Sequence, residues 1–263
     1  MTRRSWLVVL LSMLGVGSSG NSVASVTQGP LASSPFPYPT YRVTGEAALS
    51  TWTQLRAAGD GYPVIVGPPD SAELVAKAAE LNGATTEDVL AAAEAVNFPQ
   101  VLLDRHVAEL RAEAAEFGET YDEAFRVGPW PSRVEPQRGG ALTRDVLTQA
   151  PQREVLVIVL PTQDPAEAIA MLQYGGWNAC PPPEEHVAAF RSWRERFGFE
   201  PVSIGHDLIE GRVTRRPADR TAALALAREL YAYCPDIVDQ GTENLATLAA
   251  ILMVSDWWFF WWD

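Results

Sequence analysis

The chain has 263 residues, a formal net charge of −13 and an apolar fraction of 47%. That apolar content is ordinary for a globular protein and excludes disorder throughout. The negative charge makes nucleic acid and anionic membrane poor partners, because both are gripped largely through Lys and Arg, and it leaves an unidentified protein or a small neutral ligand as the partner class.

Residues 1–24 read as an export signal. Arg3 and Arg4 precede the apolar run Trp6 to Val16, and Ser22-Val23-Ala24 suits cleavage after Ala24. The run is shorter than the ~20 residues that a bilayer-spanning helix needs, so no stable span is expected once the signal is removed. Thr2-Arg3-Arg4-Ser5-Trp6-Leu7 also resembles a twin-arginine export motif. The expected location is therefore the cell envelope or the exterior; translation from Met13 would delete most of the signal and give a cytoplasmic protein instead. Gly15-Val16-Gly17-Ser18-Ser19-Gly20 fits the spacing of a dinucleotide fingerprint, but no amphipathic helix follows it and no βαβ unit encloses it. The motif is a coincidence, and no cofactor is expected.

Residues 25–40, rich in Ser and Pro, read as a flexible leader. A helix-rich α/β region follows over residues 41–137: a helix from Glu46 to Ala58, a strand from Pro63 to Val66, and helices from Ser71 to Leu81 and Thr86 to Val96. Leu74, Ala78 and Leu81 share one face, and Thr85 with Asp88 forms a reciprocal cap. A further helix from Pro99 puts Leu103, Val107, Leu110, Ala114 and Phe117 on one stripe, with His106 beside it as a packed residue. The aperiodic stretch Pro129 to Gly140 marks a boundary.

The C-terminal domain, residues 141–263, carries stronger signals. Val155 to Leu160 is an unbroken apolar strand closed by Pro161, which implies cover on both faces. A short helix spans Pro165 to Leu172. Val187, Phe190, Trp193 and Phe197 mark a helix stopped by Gly198, and a hairpin turns at Gly205-His206-Asp207. Asp219 caps a helix that buries Ala223, Leu226, Leu230 and Tyr233. Thr242 is expected to cap a last helix that buries Leu245, Leu248, Ala249 and Leu252. The chain closes on Trp257-Trp258-Phe259-Phe260-Trp261-Trp262-Asp263. This order predicts an α+β fold: a four-stranded, mainly antiparallel sheet in split βαβ order. The aromatic strand is apolar on both faces, and the N-terminal half is the expected cover for its second face.

Four stretches carry a family resemblance: Gly175-Gly176-Trp177-Asn178-Ala179-Cys180-Pro181, Trp193 with Arg196-Phe197-Gly198, Tyr233-Cys234-Pro235-Asp236-Ile237-Val238-Asp239-Gln240-Gly241-Thr242, and the closing Trp-Trp-Asp. Together, over about residues 153 to 263, they resemble the bacterial domain-of-unknown-function family 4253. The resemblance implies a compact bacterial domain and brings no substrate or catalytic residue; the export-like N-terminus departs from it.

Cys180, His186, Cys234, Asp236 and Asp239 fall in loops or at helix ends, where sites tend to form. Four readings compete for them. In the first, buried thiols pack beside Trp177 and Tyr233 while Asp236 and Asp239 hold loop amides. In the second, Cys180 and Cys234 are bridged by a disulfide. The third gathers Cys180, His186 and Cys234 with an aspartate around zinc, against which stands the lack of paired knuckle spacing, so no metal is expected. In the fourth, His186 activates Cys180 as a nucleophile. The aromatic tail is read as core rather than as an exposed ligand platform.

No P-loop, Gly-x-Ser-x-Gly, His-Glu-x-x-His or Cys-x-x-Cys occurs. The sequence therefore favours a non-catalytic binding or interaction module, with an immunity-like or inhibitor role among its forms. Its expected pocket is built from Trp177, Asn178, Cys180, His186, Tyr233, Asp236, Asp239 and Gln240. The rival is a thiol- or carboxylate-dependent hydrolase using Cys180, His186, Cys234 and Asp236.

Overall fold

The computed structural model of the chain describes residues 30–122 and 126–263. The export signal, the Gly15–Gly20 motif and the first residues of the leader lie outside the described residues. Among the described residues no helix is long and apolar enough to cross a membrane.

Mixed helix and strand content is found as expected, but the sheet is different. It has six strands: β1 (Thr40–Val43), β2 (Tyr62–Gly67), β3 (Val155–Leu160), β4 (Glu200–Ile204), β5 (Leu208–Arg212) and β6 (Trp257–Trp261). Their order is β1-β3-β2-β4-β5-β6. The β2–β4 pair is parallel and the other pairs are antiparallel. The four-stranded split βαβ sheet is thus corrected to a mixed six-stranded one. The physical reason lies in β2, whose six residues are all buried. A strand apolar on both faces and paired on both edges belongs in mid-sheet. It separates β3 from β4, while β6 settles beside β5 at the rim.

Eight helices are resolved among the described residues: α1 (Gly45–Ala58), α2 (Pro69–Asn82), α3 (Thr86–Glu94), α4 (Gln100–Glu116), α5 (Pro165–Met171), α6 (Pro183–Phe197), α7 (Arg220–Tyr233) and α8 (Leu245–Leu252). On one face of the sheet α1 buries Ala48 and Trp52 with Ile65, Val155, Val157 and Val202, and Trp52 Nε1 donates to the Pro63 carbonyl. The remaining helices build the larger core on the other face, where Trp193 stacks on Phe260 and meets Tyr233 edge-on. Trp193 Nε1 and Arg196 both donate to Glu229, so the buried carboxylate of α7 is satisfied from α6.

Side-chain caps close four of the eight helix starts, at Thr85, Asp164, Asp219 and Asn244. The Thr85–Asp88 capping box is present, and Asp219 Oδ1 accepts from the Ala222 amide. The last helix is capped by Asn244, which accepts from Thr247 N, instead of by Thr242. Two expected stripes are also rotated. Helix α2 buries Ala72, Val75 and Ala76 and leaves Leu74 and Leu81 exposed. Helix α4 buries Leu102, His106 and Leu110 and exposes Phe117. Residues 31–40, read as part of a flexible leader, are packed: Leu31 N donates to Thr40 O and Phe36 is buried.

The aromatic tail is core. Trp258, Phe260 and Trp262 are buried on the helical face, while Trp257, Phe259 and Trp261 are half-buried on the other. Both ends of the outer edge of β6 are covered, which blunts an otherwise sticky rim. Gln137 N donates to Ser255 Oγ and Gly139 lies flat on the Trp257 ring, where a Cβ would come within 2.3 Å. At the far end the Cys234 thiol donates to Trp261 O.

Candidate functional site

The loop between α5 and α6 is a tight knot of left-handed backbone: Gln173, Gly175, Gly176 and Asn178 all have positive φ. Gly176 N donates to Pro181 O and Cys180 N to Trp177 O. At Gly175 a Cβ would sit 2.1 Å from Pro181 O and 2.7 Å from His186 Nε2, so the second arm of the loop lies directly on the histidine and only glycine fits.

Beneath that loop lies a buried polar chain. Cys180 Sγ is 3.4 Å from His186 Nε2, and His186 Nδ1 is 2.5 Å from Tyr233 Oη. Burial lowers the imidazole to about 3 against a weaker pull from the Pro181 carbonyl, so the ring is neutral at physiological pH. A neutral ring has one donor; with that hydrogen on Nε2, toward Pro181 O and the sulfur, Nδ1 accepts from the Tyr233 hydroxyl. The same burial pushes the Cys180 thiol up, aided by the nearby Cys234, so it stays protonated. Tyr174 and Trp262 close the chamber with their rings against His186, and Tyr174 Oη is buried there without a hydrogen bond. Both thiols are free, each on its own partner, since Cys234 Sγ points to Trp261 O. Among the described residues no three His, Cys, Asp or Glu side chains converge as metal ligands would.

The other predicted residues gather elsewhere. The stretch after α7 forms a π-helical turn, Ile237–Thr242, ending at Glu243 with positive φ. Asp236, at its start, accepts from Asp263 N through Oδ2 and from Gln240 Nε2 through Oδ1. Asn178 Nδ2 donates to Asp263 O, so Asn178, Asp236 and Gln240 together hold the end of the aromatic strand. Trp177 packs edge-on against Tyr174 and stacks on His206. Asp239 faces another way, accepting from Arg126 Nη1 at 2.7 Å and Tyr231 Oη at 2.8 Å. His106 leans on Tyr231 with ring centroids 4.3 Å apart, and burial lowers it to about 4. The predicted residues are thus brought into three neighbouring groups instead of one open pocket. A groove of about 300 Å³ lies far along the sheet, at the β1 rim, lined by Tyr38, Tyr41, Leu55 and Pro161 among others.

Sequence reasoning missed Tyr174, Trp262, Arg126 and Tyr231 as parts of these groups. Tyr174 had a usable signal, since it directly precedes the Gly-Gly pair. Arg126 had none, because it reaches Asp239 from the other half of the chain.

Residues 156–263 match the family model described as Domain of unknown function (DUF4253). No curated protein and no solved structure matches the chain. The matched segment holds the Cys180–His186–Tyr233 chain and the π turn, whereas Arg126, His106 and β2 come from upstream of it.

Proposed function

We propose that the chain is a non-catalytic binding or interaction module, with an immunity-like or inhibitor role as one form it can take. The observation that carries this reading is the state of the residues with nucleophilic chemistry. A thiol acts as a nucleophile when it is ionised and reachable. Cys180 is buried with its thiol pushed up, and His186, the base beside it, is fully buried and neutral, donating toward a backbone carbonyl. Asp236, the carboxylate of the rival hydrolase, is engaged with Asp263 N and Gln240. What remains outside is an acidic surface interrupted by Leu81, Phe117 and Leu147, the most exposed large apolar side chains of the described residues. Such a surface suits a protein partner better than a small anionic substrate.

Thiol labelling separates the two readings. With an excess of a thiol-specific reagent at neutral pH, the native protein should label Cys180 at least a hundredfold more slowly than the unfolded chain does. Labelling at the rate of a free thiol, together with hydrolytic turnover that Cys180→Ala abolishes, would establish the hydrolase instead.

A further inference from the structure

The groove of about 300 Å³ at the β1 rim joins apolar walls to a free negative charge. Tyr41 and Val43 of β1 alternate with Thr40 and Arg42, and the two former pack on the α1 side of the sheet. Around Tyr41, Leu55 from the last turn of α1, Val159 from the end of β3 and Pro161 just beyond it give an apolar lining, and Tyr38 joins from the loop before β1.

One charged side chain stands among them, Asp60. It is exposed, and its carboxylate has no ion pair or hydrogen bond among the described residues. The turn that ends α1 fixes its position. Gly59 takes the left-handed conformation that closes a helix, with φ 77°, and Gly61 threads past Leu160 O, where a Cβ would sit 2.4 Å away. Asp60 therefore lies at the C-terminal end of α1, where the helix dipole adds partial negative charge. Neighbouring cations do not cancel it. The Arg56 guanidinium is turned to Glu200 and Gln163 and over the Tyr62 ring, and Arg42, on the other face of β1, is paired with Glu154.

We propose that this groove binds the head group of a small soluble organic cation, a quaternary alkylammonium of the choline type. The residue set selects among cations. A hard metal ion takes roughly six or more oxygen ligands, whereas here one carboxylate stands among aliphatic, proline and tyrosine walls. A methylated ammonium carries its charge inside an apolar shell, so it meets those walls favourably, gains from the tyrosine rings and keeps its attraction to Asp60. An extended peptide fits less well, because the outward carbonyl of Thr40, where an added strand would pair beside the groove, already accepts from Leu31 N. Size points the same way, since 300 Å³ is at the lower end of ligand cavities and suits a head group better than a long chain. This site is separate from the exposed apolar surface of the interaction reading and does not depend on it.

Choline chloride titrated into the full chain at constant ionic strength, followed by amide shifts in NMR, tests the site. Saturable shifts centred on Tyr41, Ala58 and Asp60 are expected. The uncharged carbon analogue of choline, with a tert-butyl group in place of trimethylammonium, should bind about tenfold more weakly. Asp60→Asn, a conservative change at an exposed position, should weaken choline about threefold to fivefold, and Tyr41→Leu by a similar factor. Should the leucine variant not fold, the analogue and Asp60→Asn decide alone. Equal binding of the charged and uncharged compounds, shifts that do not saturate, or undiminished affinity in either variant would overturn the proposal. So would capture by phosphatidylcholine vesicles without any response to free choline, which would place the head group on a lipid surface instead.

Discussion

The upstream half of the chain and the family-matched segment hold together by different means. The segment from Leu156 to Asp263 is dense with aromatic rings: Trp193 alone meets Phe190, Phe199, Tyr233, Trp258 and Phe260. The upstream half is built largely of alanine-rich helices with exposed acids, and α2 and α4 bury only a few small or medium side chains each. Yet the upstream half supplies β2, the strand that joins β3 to β4. The segment with the larger core is thus the one whose sheet is incomplete by itself. Wealth of apolar contacts and structural self-sufficiency are separate properties.

Core substitutions on the two sides of the family boundary sharpen this comparison most. Ile65 of β2 and Ile209 of β5 are both fully buried. Either change to alanine should cost about 2–5 kcal/mol in denaturant unfolding, with one cooperative transition reported by Trp fluorescence in both cases. If Ile65→Ala lowers only an early, separate transition, the halves are independent units and the comparison fails. A smaller effect is expected at the strand terminus, where Asp236→Ala removes one acceptor each from Asp263 N and Gln240. A loss of about 1 kcal/mol at neutral pH is expected from the same unfolding measurement.

Much of the C-terminal half was legible because its periodicity rests on large side chains. Helix α6 reads from Val187, Phe190 and Trp193, and α7 from Ala223, Leu226, Leu230 and Tyr233; all are buried. In α2 and α4 the signal failed for a definite reason. Alanine suits either face, so Leu74 and Leu81 suggested one stripe while Ala72, Val75 and Ala76 packed instead. Strand β1, only four residues long and close to a run of prolines, offered too little alternation to stand out from a leader. Sheet order was not readable at all, since the β2–β4 pairing joins residues more than a hundred positions apart and depends on which apolar strand needs two neighbours.

The candidate site divides similarly. The residue types in Gly175–Pro181 and Tyr233–Thr242 drew notice in the sequence, but spacing along the chain could not show that Cys180 would meet His186 while Cys234 turned to Trp261. Glu210 lies buried, with the Gly140 and Ala141 amides on its carboxyl. It was hidden by its own context: in a hairpin strand alternating around Ile209, Gly211 and Val213, it fell on the face expected to meet water. The segment that buries it begins at the end of the stretch Pro129 to Gly140, read as a boundary, and runs on into residues read as the C-terminal domain.

Producing residues 141–263 alone and together with residues 30–140 as a separate chain tests most directly the claim that the family segment depends on the upstream strand. The short piece should aggregate by itself and become a soluble, cooperatively unfolding complex when the upstream piece is supplied. A monomeric residue 141–263 fragment with a sharp unfolding transition of its own would contradict the account.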